Sequence, residues 1–236
     1  MSLQAELKRK YSELFTKFKI DKKTGELKEH PELKFPTYPY IGSNYMRSPK
    51  KILIVGLDVG ADRLPGRIQC FQTRRENIGY KELHKHNPHI AGTYFTALYF
   101  LKKELDWREL WNKTKDIGTC QKILKGGKNL PDTNPLSYIS LTNYRKFVRV
   151  GKKDKSAKKS KNDMRCFEED FTDFLVEETD IFQPDMVVFQ SVEFKKKKRL
   201  LETITSKIYV GPHPSWRGKR QPGYFCKQIK RFPFDK

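Results

Sequence analysis

Apolar positions recur along this chain with two different periods. Over residues 3–18, Leu3, Leu7, Leu14, Phe15 and Phe18 fall at helical intervals behind Ser2, a residue type suited to an N-cap. This spacing predicts an N-terminal helix. A Pro/Gly-rich stretch follows to Pro49 and reads as loop. The run KKILIVGL at 50–57 is short, β-branched and ended by glycine, as expected of a buried strand in a parallel sheet. Residues 59–91 read as irregular. GTYFTALYFLKKEL at 92–105 returns to helical spacing, with Phe95, Leu98, Leu101 and Leu105 inward. SYISLT at 137–142 predicts a second strand. A helix is expected from about 163 to 181, burying Phe167, Phe171, Phe174, Leu175 and Ile181. DMVVFQ at 185–190 predicts a third strand, 193–205 a helix, SKIYVG at 206–211 a fourth strand, and 224–231 a short C-terminal helix.

Strands alternating with helices imply a parallel sheet covered on both faces. The expected architecture is therefore a three-layer α/β/α sandwich around four parallel strands. No internal repeat or convincing linker divides the chain, so residues 1–236 are read as one domain, a size within the range of single α/β domains.

Composition narrows the class. Sixteen Phe and 11 Tyr supply a core and argue against disorder. No apolar run is long enough for a membrane span, and the N-terminus lacks the apolar segment of a secretory signal. Cys70, Cys120, Cys166 and Cys226 are scattered without a CxxC pair, which gives neither a disulfide framework nor a zinc signature and points to a reducing, intracellular setting. His84, His86 and His89 have no fourth ligand at supporting spacing and are read as a surface loop, so neither metal nor cofactor is expected.

Charge changes the picture most. The chain carries 49 Lys+Arg against 28 Asp+Glu, a formal net charge of +21. The excess is segregated. Residues 145–161 hold nine basic residues and one Asp and read as a basic loop, 195–199 are KKKKR, and 217–231 hold six basic residues and no acid. The stretch 168–180 is acidic and reads as a solvated helix face. Lys and Arg that neutralise phosphates release condensed counterions, so nucleic acid is the expected partner. No basic segment is also strongly apolar at helical spacing, so a membrane surface is not. A monomer is expected. Tyr38, Tyr40 and Tyr45, just before the first long strand, either stack on bases or pack internally.

Ligands of open parallel sheets bind at the carboxyl ends of strands. Here those ends read Gly56-Leu57-Asp58-Val59-Gly60, Leu141-Thr142-Asn143 and Gly211-Pro212-His213-Pro214-Ser215-Trp216-Arg217. Together with Cys70-Phe71, thirteen residues after Asp58, and the helix-then-strand 167–191, this ordered set resembles the uracil-DNA glycosylase superfamily over roughly residues 40–231.

The resemblance implies a role for each residue. Asp58 would orient the attacking water and stabilise the sugar cation, and His213 would stabilise the anion developing on the departing base. Phe71 would stack on a flipped base, while the Asn143 amide would donate to and accept from one edge of uracil. Gly60 stands where the best-known branch carries a Tyr that excludes thymine, which implies weaker exclusion of 5-substituted pyrimidines. Ser215, Trp216 and Arg217, with Arg145, Lys146, Lys152 and Lys153 of the basic stretch, are the candidate DNA contacts, and Arg217 resembles the wedge of a single-strand-selective branch. The signatures are mixed, so no branch is assigned. The implied activity is a monofunctional DNA glycosylase acting on uracil or a related pyrimidine. A catalytically silent nucleic-acid-binding protein on the same fold, or an RNA-binding protein, stands as the alternative.

Overall fold

A computed structural model describes residues 2–57, 66–79, 88–101, 134–150, 157–158, 168–213 and 228–234. Helix α1 spans Leu3–Lys17 and begins as its sequence requires, with the Ser2 hydroxyl accepting from Ala5 N at 3.3 Å. It buries Leu7, Tyr11, Leu14 and Phe15. At about 1.5–3 kcal/mol for each large apolar side chain removed from water, this stripe is what holds a 15-residue helix in place.

The strands in chain order are β1 (Leu33–Lys34), β2 (Tyr40–Ile41), β3 (Ile52–Gly56), β4 (Ile139–Asn143), β5 (Val148–Val150), β6 (Ala157–Lys158), β7 (Met186–Phe189), β8 (Lys207–Val210) and β9 (Lys230–Arg231). The helices after α1 are α2 (Phe71–Gly79), α3 (Pro88–Leu101), α4 (Glu168–Phe182) and α5 (Lys198–Thr203). The main sheet has the order β2-β4-β3-β7-β8-β9. Its centre is the four expected strands, β4, β3, β7 and β8, all parallel. The sheet has six strands rather than four, because β2 pairs antiparallel with β4 at one edge and β9 pairs antiparallel with β8 at the other.

Alternation along β3 sorts the core into two layers. Leu53 and Val55 face a cluster with α1, α4 and α5, including Phe15, Phe174, Phe182 and Leu201. Ile52 and Ile54 face α3 through Phe95, Leu98 and Phe100. Helices therefore cover both faces of a mixed, mostly parallel sheet, as a parallel centre demands. Among the described residues, no helix is long and apolar enough to cross a membrane.

Several local expectations are corrected. The stretch before Pro49 is not all loop. It contains β1, β2 and the 3-10 turn Tyr45–Arg47, and its Tyr40 and Tyr45 are packed inside the core. Residues 71–79 and 88–91, read as irregular, are helical. The stretch 145–161 is not a free loop throughout, since β5 pairs with both β1 and β6 in a second, antiparallel sheet. The helix expected over 193–205 breaks into a 3-10 helix at Val192–Lys196 and then α5. Residues 230–231 form an edge strand instead of ending a helix. The acidic face of α4 is not wholly solvated either. Glu177 and Asp173 pair with Lys10 and Lys17 of α1 at 2.7 and 2.6 Å, and Glu178 is buried.

Candidate functional site

The four parallel strands end at one level. Gly56 lies opposite Asn143, Val55 opposite Phe189, and Phe189 opposite Val210. Backbone pairing runs on past the strand ends, with Tyr144 N donating to Gly56 O at 2.8 Å, Gln190 N to Val55 O at 2.9 Å and Gly211 N to Phe189 O at 2.9 Å. This carboxyl edge is a fixed platform carrying Asn143, Gly56, Gln190 and, three residues beyond β8, His213.

Chain order across the platform reverses beside β3. From β3 the chain moves to β4 on one side and then to β7 and β8 on the other. Open α/β sheets take their ligands at such a reversal. Asn143 and His213 flank it from the two sides, three inter-strand steps apart, or about 14 Å of sheet.

Asn143 is half-buried and, among the described residues, its amide has no hydrogen-bond partner. Its position depends on Gly56, where an added Cβ would stand 2.6 Å from Asn143 Oδ1. The amide lines a recess with Thr37, Tyr38, Pro39, Arg74, Thr142 and Lys146. The recess measures about 10 Å³, the room of roughly one water molecule. Gln190, at the reversal itself, is 6% exposed and donates through Nε2 to Thr93 Oγ1 of α3 at 3.4 Å. Sequence reasoning passed over Gln190, although DMVVFQ ends an apolar run with an amide just as ISLTN does.

Lys146 is corrected from a surface phosphate contact to a buried ion pair. Its side chain is 4% exposed. Its Nζ donates to both carboxylate oxygens of Glu178, at 2.7 and 2.6 Å, and to Thr142 Oγ1 at 2.6 Å, which uses all three ammonium hydrogens. Tyr11 OH donates to the same carboxylate. Burial lowers the Lys146 pKa against the opposing pull of Glu178, and burial with the Glu178 charge raises the Tyr11 phenol well above its ordinary value. Arg145 is also largely covered, at 11% side-chain exposure, and lies 3.8 Å from Glu193.

Phe71 opens α2 but does not present a free ring face. It is 3% exposed and stacks on Tyr38 with centroids 4.9 Å apart. Cys70 before it is exposed, with its thiol 3.3 Å from Thr73 Oγ1. That contact and nearby backbone N–H groups hold the thiol below the usual cysteine range. Asp58, Gly60, Lys152, Lys153, Ser215, Trp216 and Arg217 lie outside the described residues, as do His84, His86 and the side chain of His89. Comparison with known families, with curated proteins and with solved structures finds no match.

Proposed function

We propose that this chain is a monofunctional DNA glycosylase that removes uracil or a related pyrimidine from a flipped nucleotide. The observation that carries the reading is the Asn143 amide, held against Gly56 on the carboxyl platform without a hydrogen-bond partner among the described residues, with His213 across the strand-order reversal. An amide offers one donor face and one acceptor face, which pair with O4 and N3–H of uracil, and cytosine presents the reverse pattern on that edge. Departure of the base leaves negative charge on its ring, which a His213 donor stabilises. Asp58, two residues beyond the end of β3, supplies the carboxylate that orients water toward the sugar. The segregated positive charge attracts the strand without choosing the base.

Single- and double-stranded oligonucleotides carrying one uracil, incubated with the full chain and then treated with alkali, test this reading. Scission at the uracil, abolished by Asp58→Asn and reduced at least about a hundredfold by His213→Ala, is the expected result. Salt-sensitive binding with no abasic product would sink it.

That second outcome defines the rival reading, a nucleic-acid-binding protein without chemistry. Two observations favour it: the Phe71 ring is stacked on Tyr38, and the recess at Asn143 is water-sized. Under the glycosylase reading the base therefore stacks on another ring, or Tyr38 gives way when the strand binds.

A further inference from the structure

We propose that residues 195–199, Lys-Lys-Lys-Lys-Arg, form a phosphate-binding ledge that holds the DNA strand along the carboxyl edge of the sheet. The inference rests on the nucleic-acid reading of that edge but not on its chemistry.

The ledge begins five residues after Gln190, within the 3-10 helix Val192–Lys196 that follows β7 at the strand-order reversal. It is rigidly seated. Ser191 Oγ accepts from Glu193 N at 3.2 Å and starts the 3-10 helix. Phe194, fully buried, packs on Phe189 and Tyr144 with centroids 4.5 and 5.5 Å away.

Anchoring of this kind turns the cations outward. Lys195, Lys196, Lys198 and Arg199 are all exposed, and among the described residues none of them forms an ion pair. Lys197 bends back, with Nζ 4.9 Å above the Tyr144 ring, which joins the ledge to the residue following Asn143. Lys195 Nζ lies 5.6 Å from the Phe234 ring. Lys230, exposed, stands opposite Val210 at the carboxyl end of β8.

Five cations in five consecutive residues, with Glu193 the nearest acid in sequence and facing Arg145, repel one another in the free protein. A strand of phosphates relieves that repulsion and releases counterions. A solvated charge run has no need of such an anchor or of a place beside an open amide.

Fluorescence anisotropy of a labelled single-stranded DNA, titrated with the full chain at several salt concentrations, tests the ledge. The variant is Lys195→Ala/Lys196→Ala/Lys198→Ala. The control, matched in charge, is Lys8→Ala/Lys23→Ala/Lys28→Ala, three exposed lysines on and after α1. At about 0.7 counterion per single-strand contact, the salt slope of the ledge variant falls by about 2 while the control keeps the wild-type slope. Affinity at low salt falls at least about tenfold in the ledge variant alone. An unchanged slope, an equal loss in the control, or tighter binding of matched RNA or of anionic vesicles than of DNA overturns the proposal. Ledge-dependent binding with no base release upholds the ledge while the glycosylase reading fails. Base release that ignores the ledge variant does the opposite.

Discussion

Gly56 and Asn143 are a register pair, and each explains the other. Any side chain at Gly56 meets the Asn143 amide oxygen 2.6 Å away, and that oxygen is the movable partner. Gly56→Ala therefore displaces the amide and leaves the sheet intact. Base release is expected to fall at least about tenfold, the kinetic weight of one misplaced contact at about 1.4 kcal/mol, with an unchanged melting temperature. Equal activity would mean that the amide does not read the base. Asn143 was legible because a polar residue ends an apolar strand. Gln190 carried the same signal, but its strand was read only for its apolar run. Lys146 was illegible as a buried residue. Its partner Glu178 sits 32 positions away on a helix whose acidic composition suggested solvent. The spacing that singled out Phe71 was blind to Tyr38, which reaches it through tertiary packing alone.

Four elements meet at the Lys146–Glu178 pair: α1 through Tyr11, α4 through Glu178, the end of β4 through Thr142, and the loop carrying Lys146. A buried pair is poor evidence of net stabilisation, but breaking one side strands a charge. Glu178→Gln removes the charge that opposes desolvation of Lys146 and is expected to cost about 3–5 kcal/mol in chemical denaturation. Lys146→Met/Glu178→Leu is expected to cost less than the single variant. A double variant as damaged as Glu178→Gln would show that packing, rather than charge, holds the junction. The linkage has a sign. Because burial depresses Lys146, its contribution to stability rises with pH from that depressed value up to 10.5, and below that value it does not change. Tyr11 acts oppositely, its raised pKa making stability fall as pH climbs above 10.0.

At the scale of the whole molecule, the parallel centre was legible because β3 and β7 are continuous apolar runs, while β4 and β8 are short segments rich in Ile, Leu, Tyr and Val. The edges were not. Strands β2 and β9 have two residues each, too few for any period to register, and they exist only because β4 and β8 offer unpaired edges. The +21 charge was legible as a total, and the fold gives part of it a place: the run at 195–199 follows β7 from the sheet edge that carries Asn143 and, beyond β8, His213. The glycosylase reading rests on that coincidence of an open amide, a histidine and a basic run beside one sheet edge. Its most direct test is product identity. Mass detection of the free base after single-turnover incubation with uracil-containing DNA is predicted to show uracil in step with abasic sites, with Asn143→Ala releasing far less. No free base from uracil or any modified pyrimidine, under conditions where the DNA is fully bound, would contradict the account.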